Sequence, residues 1–352
     1  MKIRILNFDS EHCTITPGHF FRDIINYFSK LFKDSAVEWG NSGDILAVTN
    51  VDLDREYKIE WAEINIVFAE TCQQIYDLSY RLDQTKAYIF VTESWVNIDH
   101  LKEKFYGLPL IAHYGVFNEV FNYGYDLFSI KSHLTTVQKS KDPAEHDFFC
   151  LIGRQSTLRG RFIHDLAQHD LSNSLVKYNG SVIGNSGASE KLDCLNYKSG
   201  FFDTMVDPAM TGMLPSKLVQ SSLYNNFKAE IQFETDSIGG RGWDLIEYHV
   251  TEKTLKPLIM SKPCVMYGPV GYLQWLRTFG IDLGHGNFDM DYDSIANDQQ
   301  RAVAVAEQIK KIDFDKVVPS TEQHHQNLVG LHHLCDLSKE NTVNLYRHIR
   351  RL

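Results

Sequence analysis

The chain has 352 residues, 43% of them hydrophobic and 23% charged, with a net charge of −10. Such a composition excludes a disordered chain and leaves room for two ordinary domains, each with its own core. No apolar run reaches the ~18 residues that a bilayer span needs, and MKIRILNF is too short and interrupted for a secretory leader. No membrane partner is therefore expected, and a cytoplasmic location is. The six cysteines, Cys13, Cys72, Cys150, Cys194, Cys264 and Cys335, are scattered without a CxxC pair, which predicts neither a zinc cluster nor a disulfide frame. Residues 1–147 hold 14 Lys+Arg against 22 Asp+Glu, a balance of −8, so the acidity sits mainly in the first half. An acidic surface repels phosphate backbones and counts against a nucleic-acid partner.

In chain order, MKIRILNF reads as a first strand. TPGHFFRDIINYFSKLF reads as an amphipathic helix opened by Thr16 and Pro17. Apolar runs at DILAVTN, EINIVFAE and KAYIFVTES read as further strands, with helical spacing in TCQQIYDLSYRL. Strands alternating with helices predict an α/β fold with a mostly parallel sheet. The polar segment Lys131–Asp147 reads as a linker, after which the pattern restarts.

The second half predicts strand DFFCLIG, helix LRGRFIHDLAQ, strand SLVKYNG, a Gly/Ser-rich stretch and helix SKLVQSSLYNN. Strand AEIQFE, helix TEKTLKPLIM, strand PCVMYG and helix GYLQWLRTFG follow. QQRAVAVAEQIKKI is expected as a surface helix, and Ser338 as the N-cap of a closing helix with Glu340 in its first turn. The expected division is an N-terminal domain over 1–140, a second domain over 147–335 and a terminal helix over 336–352 that could cross back. Neither GxGxxG nor GxxxxGK[ST] is present, which argues against the dinucleotide-binding and P-loop classes.

Charged residues collect at the predicted strand ends. Thr251 can cap the helix TEKTLKPLIM, placing Glu252 and Lys253 in its first turn, where outward N–H groups favour an anion. Strand AEIQFE ends in Glu234, and the loop after it carries Arg241 among glycines. Arg154, Arg159 and Arg161 follow strand DFFCLIG. A carboxylate, several guanidinium forks and a Glu-Lys pair at neighbouring sheet ends suit a nucleoside diphosphate, although each arginine alone could equally form an ordinary ion pair.

The segments STLRGRFIHDL, SSLYNNFKAEIQFETD and YHVTEKTLKPLIMSKPCVMYG resemble the donor-binding domain of the α-1,3-fucosyltransferases, glycosyltransferase family 10. The family's Phe-Glu-Asn falls on Phe233-Glu234 with Thr235 in place of Asn, and its Val-Thr-Glu-Lys on Val250–Lys253. A group of phage-borne glycosyltransferases is similar as well, through TEKTxKP and the later DYDSI. The resemblance covers roughly Phe148–Ser294. It implies a GT-B fold of two facing Rossmann-like domains, chemistry without a bound metal, and a nucleoside-diphosphate sugar as co-substrate in place of a cofactor. It further implies that Arg159 and Lys253 hold the donor diphosphate and Glu252 the ribose. The catalytic base would be Glu93 in Thr92-Glu93-Ser94, which departs from the family's Gly-Glu-Asn on both sides; Asp9, Glu11 and His19 are alternatives. The implied acceptor is a saccharide or, from the phage likeness, a 5-hydroxymethylpyrimidine in phage DNA, with the host cytoplasm as location if the chain is phage-encoded. A sugar-nucleotide epimerase and a non-catalytic sugar-nucleotide binder are the alternatives.

Other motifs point elsewhere. DMDYD resembles a calcium loop but has Ser294 at its sixth position and Gln300 at its twelfth, so coordination fails. His324, His325, His332 and His333 lack the i, i+4 spacing zinc prefers on a helix. Trp95 and Trp243 fit core positions, with stacking on a ligand as the alternative.

Overall fold

The structure is a computed structural model that describes residues 2–7, 38–40, 45–49, 64–69, 86–91, 94–96, 110–113, 144, 146–152, 157–168, 173–178, 182–183, 189–190, 226–234 and 247–351. The chain divides into two compact units: residues 1–124, 237–250 and 334–352 form one, residues 125–236 and 251–333 the other. The expected helices over Thr16–Phe32, TCQQIYDLSYRL and SKLVQSSLYNN lie outside the described residues, as do most of the expected linker and Trp243.

The first unit begins with strands β1 (Lys2–Asn7), β2 (Glu38–Gly40), β3 (Ile45–Thr49), β4 (Ile64–Ala69), β5 (Lys86–Val91), β6 (Ser94–Val96) and β7 (Leu110–His113). Six of them form one sheet in the order β2-β1-β3-β4-β5-β7, with every pairing parallel. The short β2 and β7 extend it beyond the four strands the apolar runs predict.

The second unit contributes β8 (His146–Ile152), helix α1 (Thr157–Leu166), β9 (Leu175–Tyr178), β10 (Val182–Ile183), β11 (Ser189–Glu190) and β12 (Phe227–Phe233). Strand β13 (Glu247–His249) returns to the first unit, pairing antiparallel with β6 so that Trp95 lies opposite Tyr248. There follow α2 (Glu252–Ile259), β14 (Cys264–Tyr267), α3 (Tyr272–Arg277), α4 (Asp298–Lys311) and α5 (Thr321–Arg351).

Strands β14-β12-β8-β9 form a four-stranded parallel sheet. Their apolar character suits burial on both faces. On one face the Phe233 ring lies 4.5 Å from Phe162 of α1 and stacks at 4.3 Å on Tyr267. Burying an aromatic or aliphatic side chain of this kind contributes about 1.5–3 kcal/mol. On the other face Glu230, Gln232 and Glu234 alternate with them, all buried, and α2 covers the last of these through Thr254. Helices on both faces of a parallel sheet make this unit α/β.

The helix expected at the surface, α4, lies there: it exposes Gln299, Val303, Glu307 and Lys310 and buries Arg301, Ala302, Val305, Ala306 and Ile309 against α1 and β14. One expectation needs correction. The closing helix does not start at Ser338, which lies inside α5. Ser320 caps it instead, its Oγ accepting from the Gln323 N–H at 3.1 Å. Gly330 lets α5 approach closely, since a Cβ there would meet the Phe279 carbonyl oxygen at 2.4 Å.

Candidate functional site

The carboxyl edge of the four-stranded sheet, where open α/β folds bind ligands, gathers Glu234 after β12, Gly268 after β14 and the first turns of α2 and α3. Thr251 is extended (φ −106°, ψ −175°) and its Oγ1 accepts from the Lys253 N–H at 3.3 Å, so it is the N-cap the sequence indicates. Pro257 inside α2 has no N–H to give Lys253's carbonyl, and the helix ends beyond it, before Ser261 takes a φ of 54°.

Glu234 has no exposed surface. Its Oε1 accepts from Thr251 Oγ1 at 2.5 Å, and its Oε2 from Thr254 Oγ1 at 2.5 Å and from the Thr251 N–H at 3.3 Å. A carboxylate taken out of water is stabilised only by such donors and by opposite charge. The N-terminal end of α2 supplies both, through its dipole and through Lys253. Because an ionised carboxylate only accepts, Thr254 must donate to it; the 2.8 Å contact between Thr254 Oγ1 and the Tyr272 hydroxyl therefore has Tyr272 as donor. Burial first, then the nearby Glu234 charge, push the Tyr272 phenol well above its ordinary range, so it stays protonated. The ring of Tyr272 also closes on Gly268, where a Cβ would meet it at 2.7 Å.

Lys253 completes the cluster. Its Nζ lies 3.4 Å from Thr251 Oγ1 and 3.8 Å from Glu234 Oε1, with the side chain 23% exposed. Arg159 of α1 is buried, and its Nη2 donates to the Glu234 carbonyl oxygen at 3.4 Å. Three residues expected at a ligand site, Arg159, Glu234 and Lys253, are thus brought together. Only Lys253 combines charge with appreciable exposure, while Glu234 spends its carboxylate on fixing α2. Arg161 points away, exposed and ion-paired with Asp165 at 3.7 Å. Glu252 opens α2, with its side chain outside the description, and Glu93, Arg154 and Arg241 lie outside the described residues altogether, as do Asp9, Glu11 and His19.

Thr254 and Tyr272 escape a reading of the sequence, since a hydroxyl on an apolar helix carries no motif. The available signal is the pair Thr251 and Thr254, three apart on the first turn, facing a strand that ends in Glu.

Asp293 and Arg301 have structural partners. Asp293 of the DMDYD segment is buried and accepts from the Gln274 N–H at 3.0 Å, capping α3. Burial raises its carboxyl above the usual range despite that bond. Arg301, 2% exposed, donates to the carbonyls of Gly268 at 3.1 Å and Ile295 at 2.5 Å and lies over the Tyr267 ring. Cys150, Cys264 and Cys335 are buried, and burial pushes their thiols up, away from the thiolate a nucleophile needs. Among the described residues no three His, Cys, Asp or Glu side chains gather closely enough to hold a metal ion, and no helix is long and apolar enough to cross a membrane. No protein-family model matches the chain, and no curated protein matches it in sequence.

Proposed function

We propose that the chain is an inverting, metal-independent glycosyltransferase of the GT-B type that moves a sugar from a nucleoside-diphosphate sugar to an acceptor hydroxyl. The observation that supports this reading most is the Lys253 ammonium, partly exposed on the capped first turn of α2 at the carboxyl edge of a parallel sheet, with Arg159 and Glu234 behind it. In this reading Lys253 meets the diphosphate, Arg159 adds positive charge from below, and Glu234 holds the helix start in place. Glu252 takes the ribose hydroxyls, and Arg154 and Arg241 complete the donor side. Glu93 takes the proton of the acceptor hydroxyl as that oxygen bonds to the anomeric carbon. The bond from that carbon to the diphosphate oxygen breaks on the opposite face, and the donor-side cations stabilise the departing charge.

The acceptor is a saccharide or a 5-hydroxymethylpyrimidine in DNA. The test is incubation of the full chain with UDP-, GDP- and CDP-sugars, with and without each acceptor. Release of nucleoside diphosphate that requires acceptor, lost in Glu93→Gln, is the expected result. Isomerised donor would make the chain an epimerase, and binding without turnover a non-catalytic binder; either overturns the transferase. Affinity for duplex DNA that falls steeply with salt would select the DNA acceptor.

A further inference from the structure

Ser320 caps α5 in an unusual way. Ser320–Gln323 has the S-x-x-Q form of a capping box, in which the third-turn-position glutamine reaches back to the cap's own N–H. Here the Gln323 amide donates instead to the Gly280 carbonyl at 3.3 Å and to Asn327 Oδ1 at 2.9 Å. The Ser320 N–H donates to Nδ1 of His285 at 3.3 Å. An imidazole from a distant turn therefore does the work of the box's glutamine.

That turn is built to present the ring. His285 is buried and holds a φ of 53°, a left-handed conformation that non-glycine residues keep only where the surroundings enforce it. Asn287 clamps the turn to the strand-like approach to α5, donating to the Val318 carbonyl at 3.1 Å and accepting from the Val318 N–H at 3.0 Å. Asn327 of α5 bonds the Asp282 backbone in both directions, at 2.8 and 2.9 Å.

Protonation opposes the bond that Ser320 makes to the ring. With Nδ1 accepting, the neutral ring carries its hydrogen on Nε2, which faces the Asn327 amide nitrogen at 3.4 Å; neither contact offers the ring an acceptor. A second proton would set Nδ1–H against the Ser320 N–H. It would also place a cation at the positive end of a 31-residue helix. The titratable and charged groups around the ring are few. His324, on the first turn of α5, stacks with it at 6.5 Å. Asp282 favours the charged ring, but its carboxylate already accepts from the N–H groups of Gly284 and Gly286 and lies 3.9 Å from Arg277. Glu322 on the first turn is exposed. Burial, the largest effect, lowers the His285 pKa below its ordinary value, with Asp282 and a hydrogen bond to the Ser320 backbone opposing.

We propose that His285 is a pH-sensitive cap of α5: neutral, it closes the Ser320 N–H, and on protonation it releases the first turn of the helix from the 282–287 turn. Since the folded ring binds its proton less readily than the unfolded one, the stabilisation is complete above about pH 6.5 and is lost as pH falls through the folded value.

The test is backbone amide exchange of the full chain at about pH 7.5 and about pH 5, corrected for intrinsic rates, in the wild type and in His285→Asn. Asn adopts the left-handed region readily and offers a non-titrating acceptor to Ser320. Expected is a severalfold loss of protection at Ser320 and Gln323 in acid, absent in His285→Asn. Equal protection of the wild type at both pH values, or the same loss in His285→Asn, overturns the proposal. Should that variant not fold, an NMR titration of the His285 ring in the wild type decides. Its midpoint must coincide with that of the exchange change, and separate midpoints overturn the proposal.

Discussion

The carboxylate of Glu234 and the hydroxyl of Thr251 lie 2.5 Å apart, joining the end of β12 to the start of α2 across a part-buried contact. The same carboxylate holds Thr254, so one charge orders the whole first turn. In Glu234→Gln the Nε2 end cannot accept, and either Thr251 or Thr254 is left with a buried unmade bond. A loss of about 1.5–3 kcal/mol is expected by urea unfolding, the range for hydrogen bonds to charged groups. An unchanged midpoint would show that the contact contributes nothing.

Thr254 stands between two buried polar groups, Glu234 and the Tyr272 hydroxyl. Thr254→Val keeps the shape and removes the hydroxyl, taking one bond from Tyr272 and one from Glu234, which still accepts from Thr251, at a cost of about 1.5–3 kcal/mol, the range for hydrogen bonds to charged groups. Thr254→Ser keeps the hydroxyl and is expected to recover most of that loss. Thermal unfolding of the two variants side by side checks the difference, and equal destabilisation would mean that packing rather than hydrogen bonding sets the cost.

Lys262 sits at the opposite end of the sheet, its Nζ donating to the Phe227 carbonyl at 2.6 Å and lying over the Phe227 ring. Burial brings its pKa down to about 8, against a smaller opposing pull from Glu230. Between that value and the free lysine value near 10.5 the unfolded chain binds more protons than the folded one, so this group makes stability rise with pH across the window, by at most ~1.4 kcal/mol per unit. At pH 7 the charged lysine carries its full burial cost. Lys262→Met should therefore gain on the wild type at pH 7, and that advantage should shrink steadily toward pH 10.5. A stability difference independent of pH would contradict the assignment.

Gly330 faces the Phe279 carbonyl and the Ile281 side chain, with a Cβ falling 2.4 and 2.7 Å from them. Gly330→Ala would ordinarily favour a helix by about 1 kcal/mol. Here the clash with backbone should reverse the sign, with a net loss of about 1–3 kcal/mol on unfolding by denaturant. A stabilised variant would mean that α5 moves freely off the 279–281 segment.

Much of the second unit is legible in the sequence because its strands are short apolar runs and its helix caps are local. Thr251 before Glu252 and Lys253 is a cap on any reading. The start of α5 is not read correctly, since Ser338 followed by Glu340 has the same local chemistry as a true cap. The better signal was Pro319 followed by Ser320 and Gln323. Local chemistry cannot reveal that Ser338 lies within a helix already propagating. The candidate site divides in the same way. Glu234, Lys253 and Arg159 are visible as charges at strand and helix ends, but the burial of Glu234 and its bond to Thr254 depend on α2 packing over β12. The spacing of Thr251 and Thr254 marks the turn, but it does not name the strand on which that turn packs.

The account depends most on Lys253 being the residue that meets an anionic ligand. Calorimetric titration of UDP, GDP and CDP into the wild type and Lys253→Ala measures this directly. One of the three should bind the wild type, and the variant should bind it about ten- to a hundredfold more weakly, the loss of one charge-assisted hydrogen bond, at a temperature where both proteins are folded, since Lys253 also lies 3.8 Å from the buried Glu234. Absence of binding by all three, or equal affinity in the two proteins, would contradict it.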